Sequence, residues 1–403
     1  RRGGVVRDVY VNEGDRVVAG QILAREGDEE LSLSVQSAQG EVAGSRAVRD
    51  GAQHLAGLLE AAGFEVRLVP LGEGRANLLA SKGKPGKNGP LVFTGHIDVV
   101  PLGTKEWTQA PFAGAIVGDK LFGRGSSDMK SGIAAFVAAA IEEAHRAGDG
   151  MQIAMIITAG EETGCDGAEA IVAAGMQGTA GALVVAEPTA NMPYVGHKGA
   201  LWLRGIAHGK TAHGSMPEAG DNAVYKAARA THRLSCFHFG VSPHPTLGAP
   251  TLNVGTFHGG LNINSVPDRA VIEIDLRTIP GMDHASLRNE VSAHMQEDME
   301  VETAIDLPGV WTSPETPWVE RTRAIASRVT GEPFELKTAT YFSDASVLVP
   351  ALGGAPTLIL GPGEPRQAHQ TDEWCSVDRI RQATEIYRQL IADWAEHEKE
   401  MSK

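Results

Sequence analysis

Short continuous apolar runs that end in acidic or histidine residues are the feature that most constrains this fold. Such runs lie at 91–94, 151–158, 181–186 and 356–360. Buried parallel strands have this composition because both of their faces are covered. Ligands of open α/β sheets bind beyond the carboxyl ends of the strands. Four runs with polar ends therefore predict an α/β sheet with one shared site at one edge.

The polar residues after these runs are of the types that hold divalent metals. They are His96 and Asp98 after the first run, Glu161 and Glu162 after the second, Glu187 after the third, and His369 after the Gly-Pro-Gly loop of the fourth. A further acid, Asp128, lies in the glycine-rich segment LFGRGSSDMKSG. Imidazole and carboxylate groups are ligands that zinc prefers. The pattern therefore predicts a metal centre.

Each candidate also has a simpler interpretation. His96 and Asp98 could lie in a solvated loop, and His369 could be an ordinary loop histidine. An acid directly before a helix, as Asp128 is, often serves only as an N-cap. The pair Glu161 and Glu162 could form a solvated turn. Neighbouring carboxylates repel each other, however, so that a cation or a proton would stabilise the pair.

Taken together, the candidates match the needs of two metal ions that share one carboxylate. The assignment is His96 and Glu187 on one ion, Glu162 and His369 on the other, and Asp128 between them. Each ion then has three protein ligands and an open position, which is the arrangement of catalytic zinc. The remaining Glu161 could handle protons. Asp98 could orient His96 through a hydrogen bond.

Composition excludes several classes of function. The 403 residues include 36 Lys and Arg against 50 Asp and Glu, so that the formal net charge is −14. This charge disfavours nucleic acid or an anionic membrane as the main partner. No apolar run approaches the roughly 18 residues of a membrane span. The three cysteines show no CxxC spacing, which favours a reducing compartment and a cytoplasmic protein.

The order of predicted elements divides the chain into three parts. Residues 1–30 alternate strand-like stretches with turns and resemble half of a biotinyl/lipoyl β-hairpin module, without the modifiable lysine. This appendage is either structural or a docking module for a larger assembly. Residues 31–193 and 308–403 form one α/β domain with a mixed sheet. Residues 194–307, with the order β-α-β-β-α, interrupt it as a small α+β domain.

Six motifs carry a resemblance to a known family. The segments are GHIDVVP, GRGSSDMKSG, TAGEETG, AEPT, GKTAHGSMPEAGDNA and a late GPG followed by AH. Over residues 31–403 the chain resembles the M20 metallopeptidases, and within them the group of acetylornithine deacetylases and succinyl-diaminopimelate desuccinylases. The resemblance implies a zinc-aminopeptidase-like α/β catalytic domain with helices on both faces of a mixed sheet. It also implies that the inserted α+β domain is a lid and dimerisation domain.

The resemblance implies a role for each candidate. The five ligands keep the assignment above, Glu161 is the general base and acid, and Asp98 is the carboxylate that supports the ligands. His213 would reach the site of a neighbouring subunit in a homodimer and stabilise an oxyanion. Asn264 and Arg277 would bind substrate, and the fork of Arg277 suits a carboxylate. The same arginine could also be a plain surface residue of a strand.

The implied reaction is hydrolysis of the amide bond of an N-acyl amino acid by metal-activated water. The cofactor would be two zinc ions, although cobalt and manganese suit the same ligands. A carboxypeptidase or dipeptidase with the same residues is the first alternative, and a non-catalytic metal-binding protein is the second. The stretch 341–344, Tyr-Phe-Ser-Asp, stands where relatives carry a Gly/Thr-Ser-Asp type stretch. The sequence therefore leaves the acyl group open.

Overall fold

The computed structural model describes residues 6–9, 24–26, 47–83, 87–147, 152–176 and 178–401. In chain order the strands are β1 (Val6–Val9), β2 (Ala24–Glu26), β3 (Glu65–Leu71), β4 (Arg75–Lys82), β5 (Leu91–His96), β6 (Ile116–Val117), β7 (Lys120–Phe122), β8 (Ile153–Thr158), β9 (Ala182–Val185), β10 (Tyr194–His197), β11 (Gly199–His208), β12 (Thr251–Gly259), β13 (Arg269–Thr278), β14 (Met299–Leu307), β15 (Val310–Trp311), β16 (Lys337–Ala339), β17 (Thr357–Ile359) and β18 (Trp374–Ser376). The α-helices are α1 (47–61), α2 (Ser131–Ala147), α3 (Asp166–Ala173), α4 (Ala223–Leu234), α5 (His284–Met295), α6 (Pro317–Thr330), α7 (Ala345–Ala351) and α8 (Val377–Met401).

A nine-stranded mixed sheet forms the base of the larger unit. Its strands have the spatial order β15-β10-β17-β9-β5-β8-β4-β3, and β16 pairs with β10. The four central strands β17, β9, β5 and β8 are parallel to one another. On one side β4 runs antiparallel to β8 and to β3, and on the other side β10 runs antiparallel to β17. The carboxyl ends of the four central strands therefore lie at one edge, as the apolar runs predict.

Helices cover both faces of this sheet. Leu91 and Phe93 of β5 pack into a core that contains residues of α1, α2, α6 and α8. Val92, which points the other way, packs into a second core with residues of α3 and α7. Alternate side chains of a strand point to opposite faces, so that a strand covered on both sides must be apolar throughout. The predicted α/β class, with a mixed sheet and helices on both faces, is confirmed.

The inserted part of the chain forms its own four-stranded antiparallel sheet, with the order β12-β13-β11-β14. Helices α4 and α5 pack their apolar sides on it. Asn222 and Asp283 cap the two helices by accepting the backbone N–H groups of Tyr225 and Ser286 at 3.1 and 3.0 Å. The observed order β-α-β-β-α-β has one strand more than predicted. We name this part, 199–307, the inserted unit.

The boundary of the inserted unit differs from the sequence-based one by five residues. Strand β10, which includes Tyr194, hydrogen-bonds within the nine-stranded sheet. The four-stranded sheet begins only at Gly199. The two strands are separated by a single residue, Lys198, so that the sequence reads as one continuous strand. Only the pairing partners separate them.

A small three-stranded sheet, β18-β7-β6, was not anticipated from the sequence. It pairs Trp374 with Phe122 and Cys375 with Leu121. The segment that leads to Asp128 is thereby joined to the segment that follows His369.

One prediction concerns residues 1–30. Strands β1 and β2 pair antiparallel. The rest of the predicted 1–30 module lies outside the described residues, so that its resemblance to half of a biotinyl/lipoyl module stays a prediction. Among the helices that the structure describes, none is both long enough and apolar enough to cross a lipid bilayer.

Candidate metal centre

His96 stands at the end of the central strand β5 and is 1% exposed. Its Nδ1 lies 3.1 Å from the backbone carbonyl oxygen of Asp98. A carbonyl can only accept, so that Nδ1 donates to it and Nε2 is the nitrogen that faces Asp128. With a metal ion in place of its proton, Nε2 would be the ligand atom, and the hydrogen bond from Nδ1 would fix the orientation of the ring. The preceding Gly95 allows the strand to approach α2 and the residues before it, because a Cβ there would lie 2.9 Å from Cγ1 of Ile133 and 2.6 Å from the methyl group of Met129.

The carboxylate of Asp98 connects the ends of two neighbouring strands. Its two oxygens accept the backbone N–H groups of Glu161 and Glu162 at 3.2 and 3.1 Å. Burial opposes its ionisation, yet hydrogen bonding to His96 keeps the pKa of Asp98 below its ordinary value. Asp98 is therefore an ionised group that fixes the loop after β8 relative to His96.

Asp128 lies between the two histidines. Its Oδ1 is 3.1 Å from Nε2 of His96, and its Oδ2 is 3.4 Å from Nε2 of His369. Burial works against ionisation, but these two contacts hold the pKa of Asp128 well below its ordinary range. Helix α2 begins only at Ser131. The side chain thus faces the site, with one oxygen toward each imidazole, as a bridging carboxylate would.

Glu162 and His369 meet on the far side of Asp128. Nε2 of His369 is 3.1 Å from Oε2 of Glu162. Hydrogen bonds to Asp128 and then to Glu162 raise the pKa of His369 to about 10. A positive charge is thus strongly stabilised at this point. A divalent cation between the same three groups would take over the role of that proton.

Glu161 and Glu187 complete the cluster and are 6% and 4% exposed. Oε1 of Glu187 lies 3.8 Å from Nε2 of His96. Burial raises the pKa of both glutamates well above the ordinary value. Two sets of three residues have one ligand atom each within 4.8 Å of one another: His96, Asp128 and Glu162, and His96, Glu161 and Glu187.

The donor set fits divalent cations. Buried carboxylates that crowd two imidazoles are costly unless positive charge compensates them. The five predicted ligands, together with Glu161 and Asp98, lie in one cluster at the carboxyl edge of the sheet. One feature goes beyond the prediction. Glu161 is as close to His96 and Glu187 as a ligand would be, so that its carboxylate is part of the cluster itself.

Two other candidates lie together on the inserted unit. His213 and Asn264 are both exposed. The N–H of Gly214 donates to the backbone oxygen of Asn264 at 2.7 Å, and His213 forms a β-bridge with Ser265. The Nδ1 of His213 lies 2.7 Å from the hydroxyl of Ser215. Among the described residues, no hydrogen bond or ion pair joins His213 to the metal cluster.

Arg277 lies where the inserted unit meets the larger one. Its Nε is 2.9 Å from the carboxylate of Asp275. The guanidinium lies 5.8 Å from the ring centre of Trp202 and 5.9 Å from that of Phe342. The two rings contact each other edge to face, with their centres 6.2 Å apart. Because Phe342 belongs to the larger unit, these aromatic contacts hold Arg277 beside it.

Tyr341 connects this junction to the metal cluster. Its hydroxyl donates to the carbonyl of Pro188 at 3.3 Å, directly after Glu187. Burial, and then the charges of Glu187 and Asp128, raise the pKa of Tyr341. The Tyr-Phe pair that departs from the expected stretch therefore lies between the metal cluster and Arg277.

Three buried charged residues near the site were missed by sequence reasoning. Asp344 is 2% exposed, accepts the hydroxyl of Thr158 at 2.5 Å, and has a pKa raised by burial to about 6. Glu373 and Arg124 form an ion pair at 2.7 Å with no exposure of the carboxylate. Arg124 lies inside the motif GRGSSDMKSG, Glu373 lies four residues after His369, and Asp344 ends the stretch 341–344. This proximity was the available signal, but burial cannot be seen in a local sequence.

The sequence matches known proteins over most of its length. A family model described as peptidase family M20/M25/M40 matches residues 92–393. A probable succinyl-diaminopimelate desuccinylase of Staphylococcus epidermidis is 30% identical over 382 residues, covering 85% of this chain and 92% of the relative. Acetylornithine deacetylase of Proteus mirabilis is 32% identical over 360 residues, covering 86% and 90%.

The fold matches solved structures as well. The M20 family metallo-carboxypeptidase Sso-CP2 of Sulfolobus solfataricus superimposes with a TM-score of 0.71 and 19% identity, covering 92% of this chain and 100% of that one. At this identity the likeness concerns the fold alone. The expected resemblance and the expected metal-dependent hydrolase are confirmed by the family match. The chain belongs to peptidase family M20/M25/M40 and is a metal-dependent hydrolase.

Proposed function

We propose that this hydrolase cleaves the amide bond of an N-acyl amino acid, with release of the acyl group as a carboxylate and of a free amine. The observation that carries the proposal is the position of Asp128, with one oxygen toward each histidine, beside the buried Glu161. The relatives at 30 and 32% identity bear the names of a desuccinylase and a deacetylase. Both names describe removal of an acyl group from an amine.

The cofactor in this proposal is a pair of divalent cations, most simply zinc. His96 and Glu187 would hold one ion, Glu162 and His369 the other, and Asp128 both. Bound there, the ions would polarise the acyl carbonyl and lower the pKa of a water. Histidine and carboxylate ligands also suit cobalt and manganese, so that elemental analysis of the purified protein decides among them.

Glu161 moves the proton in this reaction. Its burial raises the pKa of the carboxyl group, which brings a general base nearer to neutral pH. It would take a proton from the attacking water as the oxygen bonds to the acyl carbon. The same proton would then pass to the nitrogen as the C–N bond breaks. Asp98 supports the reaction by holding the backbone of Glu161 and Glu162 beside His96.

A second copy of the chain completes the site in our proposal. His213 is exposed on the inserted unit, and among the described residues no hydrogen bond or ion pair joins it to the metal cluster. We assign it to the oxyanion in the site of a partner, with Asn264 beside it as a substrate contact. The inserted unit would thus be the lid and dimerisation domain of a homodimer, in which each copy serves the other.

Arg277 is the proposed contact for the carboxylate of the substrate. Its guanidinium is held at the junction by Trp202 and Phe342, and its Nε is engaged by Asp275. The terminal nitrogens remain available for a carboxylate, which arginine can bind through two parallel hydrogen bonds. The same group would serve a carboxypeptidase or dipeptidase, because their substrates also end in a carboxylate.

A side-by-side assay tests the proposal. We expect kcat/KM for N-acetyl or N-succinyl amino acids to exceed that for dipeptides of the same amino acid. A metal chelator should abolish the activity, and added zinc, cobalt or manganese should restore it. A higher kcat/KM for dipeptides would establish the peptidase alternative. Activity that resists chelation in a protein without bound metal would contradict both.

We also propose a cytoplasmic location, on the basis of the cysteines. Cys165, Cys236 and Cys375 are all free, and only Cys236 is exposed. Free thiols without a disulfide suit a reducing compartment. Fractionation of the producing cells, with activity followed in each fraction, tests this location.

A further inference from the structure

Glu373 is a charged residue without exposure that stands outside the proposed ligand set. Its Oε1 accepts the backbone N–H groups of Ser127 and Asp128 at 2.8 and 3.0 Å. Its Oε2 accepts the N–H of Gly125 at 3.0 Å and Nη1 of Arg124 at 2.7 Å. Four donors thus converge on one carboxylate. Three of them are backbone groups of the loop that carries the bridging Asp128.

Arg124 extends the same network toward the other histidine. Its side chain is 2% exposed. Besides Glu373, its Nη1 donates to the carbonyl of Gln370 at 3.2 Å, and Nη2 donates to the carbonyl of Pro101 at 3.3 Å. Gln370 directly follows His369. Arg124 therefore fixes the backbone next to His369 while its ion pair fixes the backbone at Asp128.

The segment from His369 to Glu373 has a backbone that needs such support. His369 and Asp372 have φ angles of 63° and 58°. Residues other than glycine rarely adopt this left-handed region, and they persist there only where the surroundings hold them in place. The carboxylate of Asp372 accepts the N–H of Thr108 at 2.7 Å. The Arg124–Glu373 pair supplies the remaining restraint at the two ends of this short segment.

We infer that Glu373 and Arg124 are positioning residues that set the separation of Asp128 and His369 in the metal centre. Asp128 and His369 are 241 positions apart in sequence, and Oδ2 of Asp128 lies 3.4 Å from Nε2 of His369. A metal that binds both needs this separation in advance, since a ligand set that must first be ordered binds more weakly. The inference rests on the proposed metal centre and deepens it.

The geometry explains why a carboxylate is required. Each oxygen of Glu373 accepts two hydrogen bonds. In Glu373→Gln one oxygen becomes an NH₂ group, which cannot accept. Two of the four donors then face another donor in a buried site. The side-chain volume is nearly unchanged, so that the variant removes the acceptor and the charge without leaving a cavity.

The test compares three variants of the full-length protein. Glu373→Gln removes the acceptor. Arg124→Lys keeps the positive charge but loses the fork that reaches Glu373, Gln370 and Pro101 together. Glu143→Gln is the matched control, because the Glu143 side chain is only 7% exposed and accepts Arg146 and Arg388 at 2.9 and 3.1 Å within the helical layer. All three variants change one member of a buried or partly buried ion pair.

Three readouts distinguish positioning from general stabilisation. We expect Glu373→Gln to lower the zinc affinity about 10- to 100-fold, measured by competition with a chromogenic chelator, as loss of a group behind a ligand does. We expect kcat to fall by a similar factor with a smaller change of KM. In the metal-free protein, peptides that span 122–130 should exchange amide hydrogens faster. Glu143→Gln should lower Tm and leave zinc affinity and kcat unchanged.

The outcomes separate this inference from the proposed function. Wild-type zinc affinity and wild-type exchange over 122–130 in Glu373→Gln would overturn the inference. The same holds if the control variant loses as much zinc affinity as Glu373→Gln. If Glu373→Gln does not fold, Arg124→Lys decides by the same measurements, with an expected loss of about 10-fold in zinc affinity. If the wild-type chain binds no zinc, cobalt or manganese, the proposed function fails instead.

Discussion

The two regions that carry candidate catalytic residues are assembled to very different degrees. At the edge of the nine-stranded sheet, His96, Glu187 and Glu161 are 1, 4 and 6% exposed and lie against each other. On the inserted unit, His213 and Asn264 are exposed, and among the described residues neither forms a hydrogen bond with a candidate metal ligand. The side chains of the first region come together within one chain. In our proposal, the second region acts only with a partner subunit or after a movement of the lid.

The difference follows from how each region is held. Parallel strands of one sheet end at the same edge, so that the residues after β5, β8 and β9 meet as soon as the sheet forms. Asp98 then joins two of these ends directly. The inserted unit has its own core and its own sheet. Within it, the bridge between His213 and Ser265 and the hydrogen bond between Gly214 and Asn264 fix His213 and Asn264 relative to each other. Five experiments can break or sharpen this contrast.

The largest effect is expected at the assembled edge, from Glu161→Gln. Loss of the general acid and base should reduce kcat by roughly 10²- to 10⁴-fold, while both metals stay bound. Steady-state kinetics and elemental analysis of the same sample measure this. Loss of one metal would instead make Glu161 a ligand, which its distance from His96 and Glu187 allows.

The next largest loss of activity is expected from His213→Ala, on the inserted unit. Removal of one preorganised oxyanion donor typically lowers kcat by roughly 10²- to 10³-fold. We therefore expect kcat of His213→Ala to fall by about 10²- to 10³-fold, while the metal content stays unchanged. Ser215→Ala, which keeps the imidazole, is the control and should lose far less. Wild-type turnover in His213→Ala would rule out the role.

Co-expression of His213→Ala with Glu161→Gln tests whether the histidine acts across a dimer. Half of the dimers would be mixed, and each mixed dimer would have one complete site, which corresponds to about a quarter of wild-type activity. No recovery above the sum of the two variants would mean that each chain uses its own His213. The lid would then have to close within one subunit.

The fourth experiment concerns His197 on β10, at the junction of the two regions, and measures the free energy of unfolding. Burial lowers the pKa of His197 from 6.5 to about 4. The folded state keeps this imidazole neutral, whereas the unfolded chain takes up a proton below pH 6.5. Its contribution to stability is therefore present above pH 6.5 and is lost as the pH falls toward 4. Between pH 7 and 5 the expected loss is about 2 kcal/mol.

His197→Asn removes this titration and keeps an N–H donor for the carbonyl of Lys198, which Nδ1 contacts at 2.9 Å. Denaturant unfolding at pH 7 and pH 5 gives the difference between wild type and variant. An equal loss of unfolding free energy in both proteins would show that His197 is not the titrating group.

The smallest effect is expected from Arg277→Lys. Lysine keeps the charge but loses the two parallel hydrogen bonds, so that KM for the carboxylate substrate should rise about 10-fold with a lesser change of kcat. Arg204→Lys on the same sheet is the control, because the side chain of Arg204 is 45% exposed and forms ion pairs with Glu273 and Glu302. Equal effects of the two substitutions would assign Arg277 to the surface.

Much of the site could be predicted from sequence because its residues follow local patterns. His96 and Glu187 come directly after apolar runs, and the alternation of strands and helices places those runs in one sheet. Asp128 was identified by its glycine-rich segment, although as a local feature it is indistinguishable from an N-cap. What escaped prediction is non-local. The boundary at Gly199 is visible only because β10 and β11 pair with strands of different sheets.

The sequence by itself determined the α/β class, the mixed sheet and the candidates for the metal site, because these depend on periodicities and on residue types at strand ends. Only the tertiary structure decided which oxygen of Asp128 faces which histidine, and that Glu161 lies within the cluster. It alone also showed that Glu373 and Arg124 form hydrogen bonds with the backbone of both segments. These arrangements join segments up to 249 residues apart. They depend on burial and on loop closure over that distance, for which a local pattern carries no signal.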